Sequence, residues 1–141
     1  MIGRKDDPAF LYFPANYRWS MGLLICLSAA PWTGVEIDEV NRVGRALENH
    51  LGDDAAWFEE WTRMGDKIAA RGRDEGRKGH GLTAASCFMR AARYYQTGER
   101  FIQPRSERSM AVYATSVKIF KDAAAIIRHP RIEPVEVPYD G

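Results

Sequence analysis

The chain has 141 residues, of which 45% are hydrophobic and 28% charged, and 20 Lys and Arg against 19 Asp and Glu give a formal net charge of +1. This length suits one domain with a substantial core, and the charge balance indicates no polyanion partner. Cys26 and Cys87 form no C-x-x-C pair, which indicates reduced core thiols in a cytoplasmic protein. His50, His80 and His129 are too scattered to indicate a metal site.

Near the start of the chain, the apolar stretch 21–30 (MGLLICLSAA) resembles the hydrophobic part of a secretory signal. It follows Asp6, Asp7, Pro8 and Pro14 rather than a basic lead, and it is shorter than the roughly 20 apolar residues that span a bilayer. We therefore interpret it as a core helix and expect neither secretion nor a membrane partner.

Apolar residues at spacings of three and four predict five helices, separated by glycine, proline and capping residues. Their predicted ranges are 18–30, 35–51, 53–78, 82–97 and 106–127, with Asp53 or Asp54 capping the third. The last three helices have predicted buried stripes: Trp57, Trp61, Met64 and Ile68; Ala84, Phe88, Ala91 and Tyr95; and Met110, Tyr113, Val117, Phe120, Ala124 and Ile127.

The third helix ends in a basic run, RGRDEGRKGHG. Arg71, Arg73, Arg77 and Lys78 are typical of a phosphate-binding or nucleic-acid-binding patch. They are also typical of a helix C-terminus, where cations complement the helix dipole, and two acids interrupt the run. We favour the second interpretation and expect no nucleic-acid partner. The sequence contains no G-x-S-x-G, H-E-x-x-H or Gly-rich phosphate loop.

The last eleven residues, RIEPVEVPYDG, have the pattern of a strand. Prolines at positions 130, 134 and 138 exclude a helix, and Val135, Val137 and Tyr139 alternate with other residues at the period of a strand. Asp140–Gly141 is typical of a hairpin turn. This pattern predicts an extended strand whose pairing partner is not evident in the chain.

Several features of the chain, taken in order, carry a family resemblance: the paired Trp57 and Trp61, the Gly79–His80 turn, Arg90–Ala91 with Tyr94–Tyr95, Phe120, and the closing PYDG. Together they resemble the N-terminal helical region of α/β-hydrolases similar to 2,6-dihydroxypseudooxynicotine hydrolase. That group also includes fungal polyketide-shortening hydrolases and FrsA-like proteins. The resemblance covers about residues 17–141.

The resemblance implies an all-α fold in which 1–130 form a helical cap-like domain, an antiparallel array of five helices. Residues 131–141 would be the first strand and turn of an α/β-hydrolase domain that continues past this sequence. In that family the cap covers a catalytic domain holding the nucleophilic serine, the acid and the histidine. The implied function is therefore the cap and substrate-pocket region of a serine-type hydrolase.

Hydrolases of this family cleave C–C bonds beside a carbonyl, or ester-like bonds, without a dissociable cofactor. The resemblance implies a small aromatic or polyketide-like substrate and a C-terminal α/β-hydrolase domain as the main partner. We expect no catalytic residue, metal or cofactor in this chain, and no catalysis from it alone.

Arg90 and Tyr94 lie one helical turn apart and are candidates for lining the substrate pocket. There Arg90 would hold an acidic or phenolate substrate, and Tyr94 would donate a hydrogen bond. The structural alternative, which we favour, pairs Arg90 with Glu59 or Glu60 on the third helix, because a buried arginine needs a carboxylate.

Three further candidates are His80, Phe13 and Tyr17. His80 is either an active-site histidine or, as we favour, a polar turn residue after a glycine. Phe13 and Tyr17, with Phe10 and Tyr12, belong to an aromatic segment without helical period. We expect this segment to fold near the substrate entrance of the catalytic domain.

A second hypothesis is a stand-alone adaptor of the tetratricopeptide kind, since paired helices with small and aromatic residues also build such repeats. The sequence shows no 34-residue self-similarity, and an adaptor has no use for an unfinished hairpin, so we favour the hydrolase. The unpaired strand, and the apolar surface that the missing catalytic domain would leave, also favour association into a homodimer.

Overall fold

The computed structural model describes residues 11–32 and 34–139, and within these ranges the fold is all-helical. The helices are α1 (Tyr17–Leu27), α2 (Ile37–Leu47), α3 (Asp54–Arg77), α4 (Gly81–Glu99) and α5 (Glu107–Ile126). Single 3₁₀ turns at Ala30–Trp32 and Glu48–His50 follow α1 and α2. The five predicted helices are confirmed, with ends displaced by about one turn or less.

Three of the helices begin with a polar side chain that accepts hydrogen bonds from the first backbone amides of the helix. The Asn16 side chain accepts a hydrogen bond from the Trp19 amide at 3.0 Å, and Asp53 accepts from the amides of residues 55 and 56. At the start of α5, Ser106 and Ser109 form a reciprocal capping box. These caps explain why each helix begins where it does, because the first amides of a helix have no partner within it.

Helices α3 and α4 form an antiparallel hairpin in which two glycines of α3 lie directly against aromatic rings of α4. A Cβ at Gly65 would lie 2.6 Å from the Tyr95 ring, and a Cβ at Gly72 would lie 2.6 Å from the Phe88 ring. The two rings therefore occupy the space of the missing methyl groups. The Tyr95 hydroxyl also donates to Asp66 Oδ1 at 2.7 Å, so α4 is tied to α3 along their shared face.

A row of aromatic rings crosses the core from the N-terminal segment to α4. Ring centroids are 5.7 Å apart from Phe13 to Trp19, 5.1 Å from Trp19 to Trp57, 5.6 Å from Trp57 to Trp61 and 5.7 Å from Trp61 to Tyr94. All five rings are buried. The predicted stripes of α3 and α4 are likewise buried throughout, which confirms the helical period used to predict them.

The predicted buried face of α5 is wrong. Met110, Tyr113 and Phe120 are 45%, 40% and 37% exposed, whereas a neighbouring face carries the buried residues: Ser109, Ser116, Ile119 and Ala123. Small side chains on that face allow α5 to approach the alanine-rich α4 closely. Burial of the Ser116 hydroxyl costs little free energy because the hydroxyl donates a hydrogen bond to the Tyr113 carbonyl at 2.7 Å.

Five of the six apolar residues predicted to be buried form instead a partly exposed band along α5, and the sixth, Ile127, is half-buried against the core. We call this band the α5 outer stripe, and it consists of Met110, Tyr113, Val117, Phe120 and Ala124. It lies beside the buried face of the same helix, so the apolar surface of α5 is wider than its contact with α4.

Residues 131–139 carry no strand, contrary to the sequence pattern. Val135, Val137 and Tyr139 are 76%, 78% and 92% exposed, as expected for a segment that packs poorly on its own helices. A strand needs a ladder partner, and none pairs with this segment within the described ranges. The predicted turn at Asp140–Gly141 lies outside the described residues, as does Phe10 of the aromatic segment.

Candidate functional site

Two candidate residues, Arg90 and Tyr94, meet in a buried polar cluster between α2 and α4. Arg90 Nε donates to Glu39 Oε2 at 3.1 Å, and the Tyr94 hydroxyl donates to the same oxygen at 2.6 Å. The Tyr94 oxygen accepts a hydrogen bond from the Glu36 amide at 3.0 Å, and Arg90 Nη1 donates to Ser86 Oγ at 3.0 Å. The cluster joins the first turn of α2 to the middle of α4.

The electrostatics of this cluster keep Tyr94 neutral. Burial, and then the hydrogen bond to Glu39, raises the pKa of Tyr94 well above its usual value of 10.0. Arg90 has a carboxylate partner, as the structural alternative required, but the partner is Glu39 of α2 and not Glu59 or Glu60 of α3.

The carboxylates expected to pair with Arg90 are engaged elsewhere. Glu59 is paired with Arg108, and Glu60 with Arg63. Arg90 and Tyr94 have most of their polar atoms committed within the protein, so an acidic ligand at Arg90 would compete with Glu39.

His80 lies at the turn between α3 and α4, after Gly79 with its positive φ of 85°. His80 Nδ1 is 2.7 Å from Glu75 Oε2, and the ring is solvent-exposed. Hydrogen bonds from His80 and then Lys78 lower the pKa of the Glu75 carboxyl. His80 is ten residues from Arg90 on α4, or about 15 Å along the helix axis, so the fold does not bring them together.

Phe13 and Tyr17, the aromatic candidates, lie in different environments. Phe13 is buried beside Trp19, and its amide and carbonyl both bond the Ser20 hydroxyl at 2.9 and 3.0 Å. Tyr17 is exposed on the rim of a cleft of about 330 Å³ that Phe101 and Arg100 also line. Of the two, only Tyr17 has a ring that a ligand can reach.

A second cleft, which the sequence patterns do not indicate, lies between the α1–α2 connection, α4 and α5. It has a volume of about 370 Å³, and its walls include Trp32, Met89, Arg93, Gln96 and Phe120. Three elements remote in sequence form it, and Phe120 was assigned to the core, so local patterns could not reveal it. Its apolar walls and single guanidinium suit a planar organic ligand with a polar or anionic group.

Arg93, the cation of this cleft, also stabilises the fold. Its Nη2 donates to the Ile25 carbonyl at 2.7 Å in the last turn of α1, where the helix leaves carbonyls without partners. Its Nε is buried and has no hydrogen-bond partner among residues 11–32 and 34–139. Phe120, which belongs to the α5 outer stripe, connects the cleft to that stripe.

Comparison with known proteins finds a distant resemblance to a fungal hydrolase. Over 131 residues, or 92% of this chain, the sequence is 26% identical to Hydrolase LUC6 of Fusarium sp. The chain resembles part of a hydrolase. It spans 30% of the length of that relative. No protein-family model matches the sequence, and no solved structure matches it significantly.

Within the ranges 11–32 and 34–139, no helix combines the length and apolar character needed to cross a membrane.

Proposed function

We propose that the chain is the N-terminal cap and substrate-pocket region of a serine-type α/β-hydrolase. The observation that carries the proposal is the similarity to the fungal hydrolase, which extends through 92% of this chain but only 30% of that protein. The remainder of such a protein would hold the nucleophilic serine on a sharp strand-to-helix turn, the histidine base and the oxyanion donors.

The α5 outer stripe supports this proposal, because it leaves apolar side chains in solvent beside the segment that leads out of the helical array. Uncovered apolar surface of this kind commonly marks an interface. A catalytic domain joined through residues 131–139 would cover the stripe, and it would also give Val135 and Val137 the strand partner they lack.

The helical array would contribute to catalysis by covering the reacting bond and excluding water. The cleft at Trp32 and Arg93 suits an aromatic or polyketide-like substrate, and Tyr17 would act at a more peripheral position. Arg90 and Tyr94 would act mainly by holding α2 on α4. The reaction would be cleavage of a C–C bond beside a carbonyl or of an ester-like bond, on residues outside this chain.

Two experiments test the proposal. Reading the coding sequence after Gly141 should reveal an in-frame G-x-S-x-G motif, and its absence would favour the tetratricopeptide-type adaptor. The 141-residue chain should hydrolyse no aryl ester above the uncatalysed rate. Repurified protein that retains esterase activity, with loss in a Ser86→Ala variant, would place a nucleophile within the chain.

The role of the α5 outer stripe is tested in the longer protein. Tyr113→Lys with Phe120→Lys should expose residues 128–139 to limited proteolysis, because charged residues would weaken the packing of the two domains. Ala111→Lys with Ala125→Lys, exposed positions off the stripe, should leave the cleavage rate unchanged. Equal cleavage of both variants would mean that the stripe is not the domain interface.

A further inference from the structure

A groove runs between α2 and α3, on a surface that shares no residue with the α5 outer stripe or the Trp32 cleft. It consists of two adjoining clefts of about 300 and 220 Å³, both lined by Arg42, Met64 and Lys67. Arg63 stands at one end of the groove and Arg71 at the other. We call it the α2–α3 groove.

The groove has an excess of positive charge. Arg42 is neutralised by Asp38 at 2.7 Å, and Arg63 by Glu60. Lys67 makes no ion pair within the described ranges.

The acids that line the other end of the groove are likewise already paired. Arg71 also makes no ion pair among residues 11–32 and 34–139, and Glu39, which borders the groove, is held by Arg90. Arg77 and Lys78 of the same basic run are paired with Asp74. Within this basic run, Arg71 is therefore the residue that lines the groove and whose positive charge no ion pair in the described ranges neutralises.

The cations of the groove form a regular row. Arg63, Lys67 and Arg71 follow one another every four residues on α3, which places them about 6 Å apart along one face of the helix. Met64 and Ile68 lie beside them and form an apolar floor. A helix with acidic residues at every fourth position has the same repeat, so two successive carboxylates can meet Lys67 and Arg71, the cations of the row without an ion pair among the described residues.

We propose that the α2–α3 groove is a docking site for an acidic amphipathic helix of a partner protein. The groove extends about 12 Å along α3 from Arg63 to Arg71, which favours a helical segment over a single small anion. Because the floor residues are already largely buried, the contact is mainly electrostatic and weakens with salt.

A fluorescently labelled peptide with Glu at every fourth position, Leu next to each Glu and Ala elsewhere provides the probe. Its binding to the 141-residue chain is measured by anisotropy at about 0.05 M and about 0.5 M salt. We expect saturable binding at low salt and a loss of about tenfold or more in affinity for Lys67→Glu with Arg71→Glu.

The matched control is Lys118→Glu with Lys121→Glu, which makes the same change in charge on the exposed side of α5 and should alter affinity by about twofold at most. If charge reversal disturbs folding by circular dichroism, Lys67→Gln with Arg71→Gln replaces it. The proposal is overturned if the peptide does not bind, if a scrambled peptide of the same composition binds equally, or if the control loses as much affinity.

Discussion

Glu39→Gln tests the buried cluster between α2 and α4 most directly. The change keeps the side-chain shape and an acceptor for Tyr94. In the part of the chain that the structure describes, it removes the only full charge within hydrogen-bonding distance of Arg90. The side chains of Glu39 and Arg90 are 14% and 8% exposed. Leaving one member of a buried ion pair without its partner costs about 3 to 5 kcal/mol.

Some exposure remains at Glu39, and Glu36 lies 3.9 Å from Arg90, so the lower end of that range applies. We expect the free energy of unfolding to fall by about 3 kcal/mol and the melting temperature by about 10 °C for a chain of this size. Urea denaturation followed by circular dichroism measures the first quantity, and differential scanning calorimetry measures the second.

The matched control is the preceding acid on the same helix. Asp38→Asn breaks an exposed i,i+4 pair with Arg42, which should cost about 0.5 kcal/mol or less. Glu39→Leu combined with Arg90→Leu should recover much of the lost stability, because it removes both charges. A loss below about 1 kcal/mol in Glu39→Gln would refute the inference that the cluster is buried and coupled.

Three further results are expected. Trp61→Ala should cost about 3 to 5 kcal/mol in urea denaturation, the usual range for a fully buried aromatic ring, and an unchanged midpoint would place Trp61 on the surface. Gly65→Ala should destabilise by about 1 to 3 kcal/mol, because its methyl group would meet the Tyr95 ring at 2.6 Å. Gly76→Ala, whose methyl group would make an ordinary 3.7 Å contact, should instead be stabilising by about 0.4 to 1 kcal/mol in the same assay. Because the pKa of Tyr94 is raised above 10.0 in the folded chain, its contribution to stability is complete below pH 10 and declines above it. Urea midpoints measured from pH 8 to 11 should therefore fall more steeply in the parent chain than in Tyr94→Phe, and parallel curves would contradict this assignment.

The helices and the packing of α3 on α4 were predictable because their signals are local. Trp57 and Trp61 repeat at the helical period on α3, and Phe88 and Tyr95 do so on α4, so the buried faces follow from spacing alone. The cap at Asp53 was predictable for the same reason, since it depends on residues a few positions apart.

The face of α5 was not predictable in this way. Its apolar residues extend over two adjoining faces, and the period of the sequence favours the face with larger side chains. The structure instead buries Ser109, Ser116 and Ala123, because close approach to α4 requires small residues. The outcome depends on the shape of the opposing helix, which no pattern within α5 contains.

Contacts between residues distant in the sequence were the other feature that could not be predicted. That Arg90 needs a carboxylate follows from its position on a largely apolar helix, but several acids on α2 and α3 are suitable. Which of them becomes the partner depends on how α2 lies against α4. The same applies to the cleft between Trp32 and Phe120, whose walls are almost ninety residues apart in the chain.

The neighbouring residues Tyr94 and Tyr95 hold α4 from two sides, since one donates to Glu39 on α2 and the other to Asp66 on α3. A rotation of α4 that separated one pair would also break the other. The amide protons of α4 should therefore exchange with solvent only when the whole core opens. Helix α5 packs chiefly on α4, and its outer stripe is partly exposed. Its amides can therefore exchange by local unfolding of α5 that leaves the α3–α4 hairpin intact.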